Sequence, residues 1–480
     1  MLAVVFGYFA LLMAVAWRTS RGADSDSFFI GNRASRWWLV AFGMIGTSLS
    51  GVTFVSVPGA VGREGFAYFQ LVLGLFAGYL MIAYVLLPIY YRNHATSIYD
   101  FLEERLGPAS HRTGAALFIL SRTLGATARL YLVVNILQEA ILDGTGVPFW
   151  LTAAVFVAMI VAYTYQGGVK TIVWTDTLQT TCMLAGLAII SAAMLSSLGL
   201  TFDDSLARLH EQGLSKVFFL DVDSTLFFPK QFLAGVFIAI AMTGLDQEMM
   251  QKNISVRTLR DSQKNVVTMA LIMLGVVLLF LYLGGLLHLY APTVGVAASG
   301  DRILPAVVLG HLPEAVQLVF LIAIISALFP SADGAITALT SIFCIDLLGL
   351  MRRPGVDEAR RNVIRHRVHI SFAVVFLLLL LAFKHLASPS MIGVILTLAA
   401  YTYGPLLGLF AFAIFTRRAV RDAWVPAVAL AAPAACLWID RHQQLLFGAY
   451  RMGLEILVVN GILTFAGLWL ASRPTRTTKR

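Results

Sequence analysis

Long apolar runs separated by short polar stretches follow one another along the whole chain. Each run is close to 20 residues and lacks two-residue alternation, which is typical of a membrane-spanning helix and not of a barrel strand. The pattern predicts about thirteen such helices. Their approximate bounds are 2–17, 38–60, 67–91, 113–141, 148–165, 174–199, 231–250, 266–290, 315–348, 368–387, 390–416, 423–439 and 452–471.

The composition also indicates an integral membrane protein. Hydrophobic residues make up 59% of the 480 positions, charged residues make up 13%, and the mean hydropathy is +0.81. A soluble fold of this length could not cover so much apolar surface. Cys182, Cys344 and Cys436 all lie in apolar runs, and we interpret them as packing residues.

The basic residues behind the net charge of +9 are distributed unevenly between the loops, and this distribution indicates how the chain is oriented in the membrane. If the N-terminus lies outside, most Lys and Arg residues fall in inward loops, among them Lys252, Arg257 and Arg260, whereas the outward loop at 200–229 is acidic. This bias predicts a multi-pass protein of a bacterial-type inner membrane with a cytoplasmic C-terminus. The lipid bilayer therefore explains the basic residues, and we expect no nucleic-acid partner.

Motifs of nucleotide-driven pumps and of common enzymes are missing from the sequence. It contains no GxxxxGK[ST] loop and no HExxH, CxxC or GxSxG stretch. We therefore expect a protein that is not an enzyme and has no organic cofactor.

Polar residues interrupt four of the predicted helices. These are the second with GTSLSGVT (46–53), the sixth with WTDTLQTT (174–181), the seventh with MTGLDQE (242–248) and the ninth with LFPSADGAITALTSIFCID (328–346). Small residues also allow close helix packing, but three aspartates at membrane depth favour a transport pathway. The second and seventh helices each begin a block of five, which indicates two inverted halves with a binding site between their broken helices.

These stretches resemble the sodium/solute symporter family, which includes sodium/proline, sodium/galactose and sodium/sialic acid symporters. The matching segments are GTSLSGVTFVSVPGAVGREG (46–65), YQGGVKTIVWTDTLQ (165–179), GLDQEMMQKN (244–253), SADGAITALTSIFCIDLLG (331–349) and YTYGPLLGLFAF (401–412). The resemblance implies an all-α integral membrane protein with a LeuT-like (leucine-transporter) fold, a 5+5 inverted-repeat core. It implies an extra N-terminal helix and loop at 1–36, core halves at 37–199 and 230–416, and two further helices with a basic tail at 417–480.

The resemblance also implies a coupling sodium ion bound by two core helices. Carried over by position, its ligands are Gly46, Leu49, Ala327, Pro330 and Ser331. The sequence departs from the family pattern at Pro330, where a hydroxyl residue is usual. Proline removes the N–H that would bond the carbonyl of Ser326, so we expect a kink whose freed carbonyl replaces the lost hydroxyl.

A second cation site is implied by Asp176, which matches an aspartate that holds a second sodium in some relatives. Opposite it stand Asp333 and Gly334, where hydroxyl residues are usual. Two carboxylates close together need a cation or a proton between them. Three interpretations remain open: a second sodium, a shared proton, or an ion pair of one aspartate with Arg122 or Arg129.

The solute should lie between the broken helices. The predicted binding residues are Ser50, Gly51, Thr53, Arg129, Asp246 and Gln247, and the possible gates are Tyr131, Tyr401 and Tyr403. Arg129 is suited to clamping a carboxylate, whereas Arg122 is interpreted as an interfacial anchor paired with a loop acid. An acid at position 246 opposite Arg129 suggests an amino acid or another carboxylate as solute.

Together these features predict a sodium-coupled symporter that imports a small organic solute by alternating access. One alternative is a proton-coupled carrier that uses Asp176 and Asp333. The other is a membrane sensor that keeps the fold without transport. The sequence does not determine the oligomeric state.

Overall fold

The computed structural model is almost entirely helical, and it describes residues 2–19, 35–92, 97–350, 357–385, 391–448, 450 and 452–474. The helices up to residue 254 are α1 (Leu2–Thr19), α2 (Trp37–Ser48), α3 (Gly51–Glu64), α4 (Tyr68–Arg92), α5 (Asp100–Arg105), α6 (Pro108–Leu137), α7 (Phe149–Ser197), α8 (Phe202–Glu211), α9 (Phe228–Gly244) and α10 (Gln247–Ile254). The later helices are α11 (Leu259–Tyr290), α12 (Ile303–His311), α13 (Glu314–Leu347), α14 (Glu358–Phe383), α15 (Met391–Phe415), α16 (Val425–Arg441), α17 (Gln443–Phe447) and α18 (Ile456–Leu470). Two short strands, β1 (Ala419–Val420) and β2 (Ser472–Arg473), pair antiparallel after α15 and α18.

The structure confirms a multi-pass membrane architecture. Within the described residues, eight helices are long and apolar enough to cross a membrane, or ten if each of two bent helix pairs is one span. Three shorter apolar helices, Val4–Thr19, Phe149–Tyr165 and Ile456–Leu470, coincide with other predicted segments. The predicted number of about thirteen spans stays a prediction.

The two helices predicted to be broken are the bent pairs. α2 and α3 meet at 56°, and α9 and α10 meet at 67°. At the first break Ser50 is extended, with φ −73° and ψ 172°, and at the second Asp246 is extended, with φ −102° and ψ 121°. Each break releases backbone groups from helical hydrogen bonding in the interior of the protein.

Pro330 does not interrupt its helix, and the kink expected there stays a prediction. The α-helical part of α13 runs unbroken from Glu314 to Ile342 with Pro330 inside it. Every residue from Ala323 to Ile342 is buried. Packing on all sides holds the helix through the position where one backbone hydrogen bond is lost.

The predicted fifth and sixth segments correspond to the apolar stretches Phe149–Tyr165 and Thr171–Ser197, which the helical backbone of α7 joins. No proline stands between them to end the helix. α13 packs against α6 and α7, α11 packs on α3, and α15 packs against α18. The helices of the first bent pair also contact α11 and α13, and α10 of the second pair contacts α13.

Candidate functional site

A cavity of about 110 Å³ lies beside both helix breaks. Its polar wall residues come from α2, the first break, α3, α4, α6 and α9. They are Thr47, Ser48, Ser50, Thr53, Tyr68, Tyr79, Arg122, Arg129 and Thr243. The rest of the wall is apolar, including Met242, Met249 and Met273. A largely apolar space with a few convergent polar groups is typical of a small-molecule site.

Half of the predicted solute residues line this cavity. Ser50, Thr53 and Arg129 are part of the wall. Gly51 is not part of the wall. It packs against α6, since a Cβ atom at position 51 would come within 2.4 Å of Val133 Cγ2.

Asp246 and Gln247, also predicted as solute residues, have side chains that hydrogen-bond within the protein. Asp246 Oδ1 accepts a hydrogen bond from Met249 N at 3.2 Å and so caps α10, while Oδ2 accepts from Tyr403 Oη at 2.6 Å. Gln247 Oε1 accepts from Ile98 N at 3.0 Å. Neither residue is part of the cavity wall.

The three tyrosines predicted as gates occupy different places. Tyr403 lines a small side pocket together with Arg122 and Arg129. Tyr131 packs against the ring of Phe149. Tyr401 donates a hydrogen bond to Asp440 at 2.9 Å on α16, which turns it away from the cavity. Only Tyr403, among these tyrosines, adjoins the arginines of the site.

The two arginines of α6 have different surroundings. Arg122 is buried, forms an ion pair with Glu248, and has Nη1 3.7 Å from Asp246 Oδ2. Its interpretation as an interfacial anchor is therefore wrong. Arg129 makes no hydrogen bond or ion pair with any residue of the described ranges, and it lines the cavity. A guanidinium without a counterion in a largely apolar cavity is suited to an anionic group.

The first predicted sodium site adjoins the break between α2 and α3. A Cβ atom on Gly51 would lie 3.8 Å from the carbonyl carbon of Ala327, so the break lies beside α13. Ser331 Oγ is buried and has no hydrogen-bond partner in the described part of the chain. A spare hydroxyl beside an interrupted helix fits a cation with oxygen ligands. The ligand roles of Gly46, Leu49, Ala327, Pro330 and Ser331 stay predictions.

The second predicted site already contains a cation. Lys252 Nζ lies 2.7 Å from Asp176 Oδ2. Asp333 accepts hydrogen bonds from Tyr163 Oη at 2.7 Å and from Gly334 N at 2.5 Å. The pairing of Asp176 or Asp333 with Arg122 or Arg129 is not the arrangement found.

Lys252 is the main residue that the sequence analysis misplaced. It lies on α10, is only 3% exposed, and is not in an inward loop. A lysine near the end of an apolar segment is usually a solvated loop residue, which is why the sequence placed Lys252 in an inward loop. A signal was present in GLDQEMMQKN, where Glu248 and Lys252 are four residues apart and so share one helix face.

A membrane-spanning helical protein with two broken helices beside a cavity lined by polar and buried charged groups is a secondary transporter of the LeuT-like fold. The sequence pattern of the family described as "SSF: Sodium:solute symporter family" matches residues 28–423. The chain belongs to this family, and it is a sodium-coupled solute symporter, with sodium as the coupling ion.

Relatives of known function agree with this assignment. The chain is 22% identical to the sodium/sialic acid symporter SiaT of Proteus mirabilis, over 87% of this chain and 85% of that protein. It is 22% identical to the sodium/sialic acid symporter NanT of Aliivibrio fischeri, over 96% and 92% of the two chains. It is 32% identical to a sodium-dependent multivitamin transporter of Oryctolagus cuniculus, a match that spans 46% of this chain and only 34% of the rabbit protein.

Solved structures confirm the fold. A sodium-coupled sialic acid symporter in a substrate-bound, outward-open state superposes with a TM-score of 0.84 at 18% identity, covering 98% of each chain. Mhp1, a nucleobase-cation-symport-1 family transporter, superposes with a TM-score of 0.61 at 15% identity, covering 92% of this chain and 94% of that one. The LeuT-like fold predicted from the sequence is thus confirmed.

Proposed function

We propose that the transported solute is a small organic carboxylate and that Arg129 binds its carboxylate group. The observation that carries this proposal is the guanidinium of Arg129, which lines the cavity and has no counterion within the described ranges. A planar guanidinium can hold a carboxylate through two parallel hydrogen bonds. Ser50, at the first helix break, and Thr53, in the first turn of α3, supply hydroxyl groups for the rest of the solute.

The cavity wall favours a carboxylate over an amino acid. No aspartate or glutamate lines the cavity in the part of the chain that the structure describes. Asp246, the acid that the sequence offered for a substrate amine, is held by Tyr403 and by the N-terminus of α10. An ammonium group in the cavity would therefore have no partner of opposite charge.

The names of the relatives support an anionic solute. Two bacterial relatives transport sialic acid, and a mouse relative that is 27% identical over 88% of this chain is a sodium-coupled monocarboxylate transporter. These solutes share a carboxylate group and differ in the rest of the molecule. Arg129 is suited to recognising the shared group.

We also infer how the chain is organised around the site. The inverted-repeat core comprises residues 37–199 and 230–416, preceded by the helix of segment 1–36 and followed by the two helices of segment 417–480. The N-terminus lies outside and the C-terminus lies in the cytoplasm of a bacterial-type inner membrane, an orientation supported by the basic inward loops.

Uptake into proteoliposomes under an imposed sodium gradient tests the carboxylate proposal. Small carboxylates should compete for uptake, and their amides and neutral sugars should not. Arg129→Gln should weaken carboxylate binding by roughly 10- to 100-fold, the loss expected for a charge-assisted hydrogen-bonded pair.

The matched control is Arg208→Gln, which removes an exposed arginine from α8 and should leave uptake unchanged. Equal uptake by Arg129→Gln and Arg208→Gln, or inhibition by amides as strong as inhibition by carboxylates, would contradict the proposal.

A further inference from the structure

The ammonium group of Lys252 occupies the place where a second coupling cation was predicted. Its Nζ atom donates to Asp176 Oδ2 at 2.7 Å, to Thr47 Oγ1 at 2.7 Å and to Glu248 Oε1 at 3.4 Å. All four side chains are buried. The carboxylate and hydroxyl oxygens around Nζ are the type of group that a sodium ion would need at Asp176.

We propose that Lys252 is a tethered cation that fills the Asp176 site, so that each transport cycle couples one sodium ion instead of two. An ammonium group has three N–H donors, and three oxygens around Nζ accept them. A sodium ion at Asp176 would have to displace this ammonium group or lie beside it on the same carboxylate. Both are unfavourable, because the first leaves a buried cation without its partners and the second brings two cations together.

The position of Lys252 links the two broken helices. Thr47 is in the last turn of α2, Asp176 is in α7, and Lys252 is in α10. The ammonium group therefore ties the helix that ends at the first break to the helix that begins at the second. A sodium ion at this position would make the same link, but it would have to bind and leave in every cycle.

The remaining charged groups around Lys252 also have partners of their own. Asp333 adds negative potential at Lys252, but its oxygens accept hydrogen bonds from Tyr163 and from Gly334 N. The second oxygen of Glu248 pairs with Arg122. Asp176 and Glu248 are therefore each paired with a cation, and Asp333 is held by hydrogen bonds.

One consequence concerns the membrane potential, and this consequence rests on the proposed carboxylate solute. One sodium ion carried with one monovalent carboxylate moves no net charge. Uptake of such a solute should then follow the sodium concentration gradient and be insensitive to an imposed potential. The number of sodium ions is independent of the solute, so the two proposals can fail separately.

The decisive experiment counts sodium bound to purified full-length protein without solute, using radioactive sodium. The native protein should bind about one ion with a Hill coefficient of about 1. Lys252→Met should bind about two ions, because the oxygens released by the ammonium group can hold a second sodium. Lys252→Arg keeps the cation and should bind about one, as should the double variant Lys252→Met with Asp176→Asn.

Each outcome decides the proposal. Two ions bound by the native protein would overturn it, and so would a folded Lys252→Met that binds one. If Lys252 only forms a structural salt bridge, Lys252→Met should change the thermal stability but not the number of sodium ions bound. If Lys252→Met does not fold, the native count decides alone: one ion supports the tethered cation and two exclude it.

Discussion

The Cα atom of Gly334 on α13 lies directly against the carboxylate of Glu248 on α10. A Cβ atom at position 334 would come within 2.3 Å of Glu248 Oε1 and within 2.7 Å of its carboxyl carbon. Glycine is thus the residue that lets Glu248 reach both Arg122 and Lys252. Gly334 stands where a hydroxyl residue is usual in the family, and the structure shows that glycine leaves space for the buried carboxylate of Glu248.

Gly334→Ala should lower the stability of the protein. The added methyl group pushes Glu248 away from its two cations, and overpacking together with a weakened buried ion pair costs about 2–4 kcal/mol. Thermal unfolding in detergent measures this loss.

The matched control is Gly275→Ala, on a membrane helix where nothing lies within 4 Å of the added Cβ atom. That variant should be neutral or slightly more stable. Equal stability of the two variants would show that Glu248 can relax without cost, which would contradict the tight contact.

Ser331→Ala should weaken sodium binding while it leaves the fold intact. Ser331 Oγ has no hydrogen-bond partner among the described residues, so its removal loses no contact within the protein. If the hydroxyl is a sodium ligand, the apparent sodium affinity should fall by roughly tenfold, which is about 1.4 kcal/mol. Sodium-dependent uptake of the solute at graded sodium concentration measures the change.

Ser341→Ala provides the comparison, because Ser341 Oγ on the same helix donates to Thr337 O at 2.9 Å. It should leave the sodium dependence of uptake unchanged. If Ser331→Ala keeps the native sodium affinity, Ser331 is not a ligand.

Asp422 ties the start of the C-terminal helices to the N-terminus of α6. Its carboxylate accepts hydrogen bonds from Ala109 N at 2.7 Å and from Ser110 N at 2.8 Å. Two backbone N–H groups that have no helical partner are satisfied in this way. Asp422→Ala should therefore lower the free energy of unfolding by about 1–3 kcal/mol.

Chemical denaturation or thermal unfolding would show this loss. Asp203→Ala, at an exposed aspartate in the first turn of α8, should stay within about 0.5 kcal/mol of the native protein. If Asp422→Ala loses no more stability than Asp203→Ala, water replaces the hydrogen bonds that the Asp422 carboxylate accepts from Ala109 N and Ser110 N.

Asp301 should make stability depend on pH. It lies in the turn Gly300–Arg302, outside the membrane-spanning helices, and its Oδ2 accepts a hydrogen bond from Met391 N at 2.9 Å. Burial raises the pKa of the Asp301 carboxyl above its ordinary value, although the hydrogen bond from Met391 opposes the shift. A raised pKa in the folded state means that stability is greatest below the unfolded-state pKa and falls as pH rises through the folded-state pKa.

Asp301→Asn keeps an oxygen that can accept from Met391 N but cannot ionise. The stability of this variant relative to the native protein should therefore increase as the pH rises from about 4 to about 7. Unfolding temperatures of both proteins across this range measure the trend. A difference that is constant or that decreases with pH would refute the role of the buried carboxylate.

The sequence by itself determined the membrane helices, the two broken helices and the family. These depend on local properties: apolar runs long enough to span a bilayer, and small or polar residues such as Ser50 and Asp246 where the helices break. The cavity residues Ser50, Thr53 and Arg129 could also be predicted, because they lie on or opposite a helix break. The sequence did not show that the helix would continue through Pro330, because burial on all sides lets a helix tolerate a proline that would end an isolated one.

Only the tertiary structure decided which charges meet. Lys252 and Asp176 are 76 positions apart, and Arg122 and Glu248 are 126 apart, so no local pattern shows that they are partners. The same structure placed Asp246 at a helix cap and left Arg129 facing the cavity without a counterion. Backbone conformation is set by residues a few positions away, whereas the pairing of buried charges depends on how distant helices pack, and that arrangement decides which cation occupies the Asp176 site.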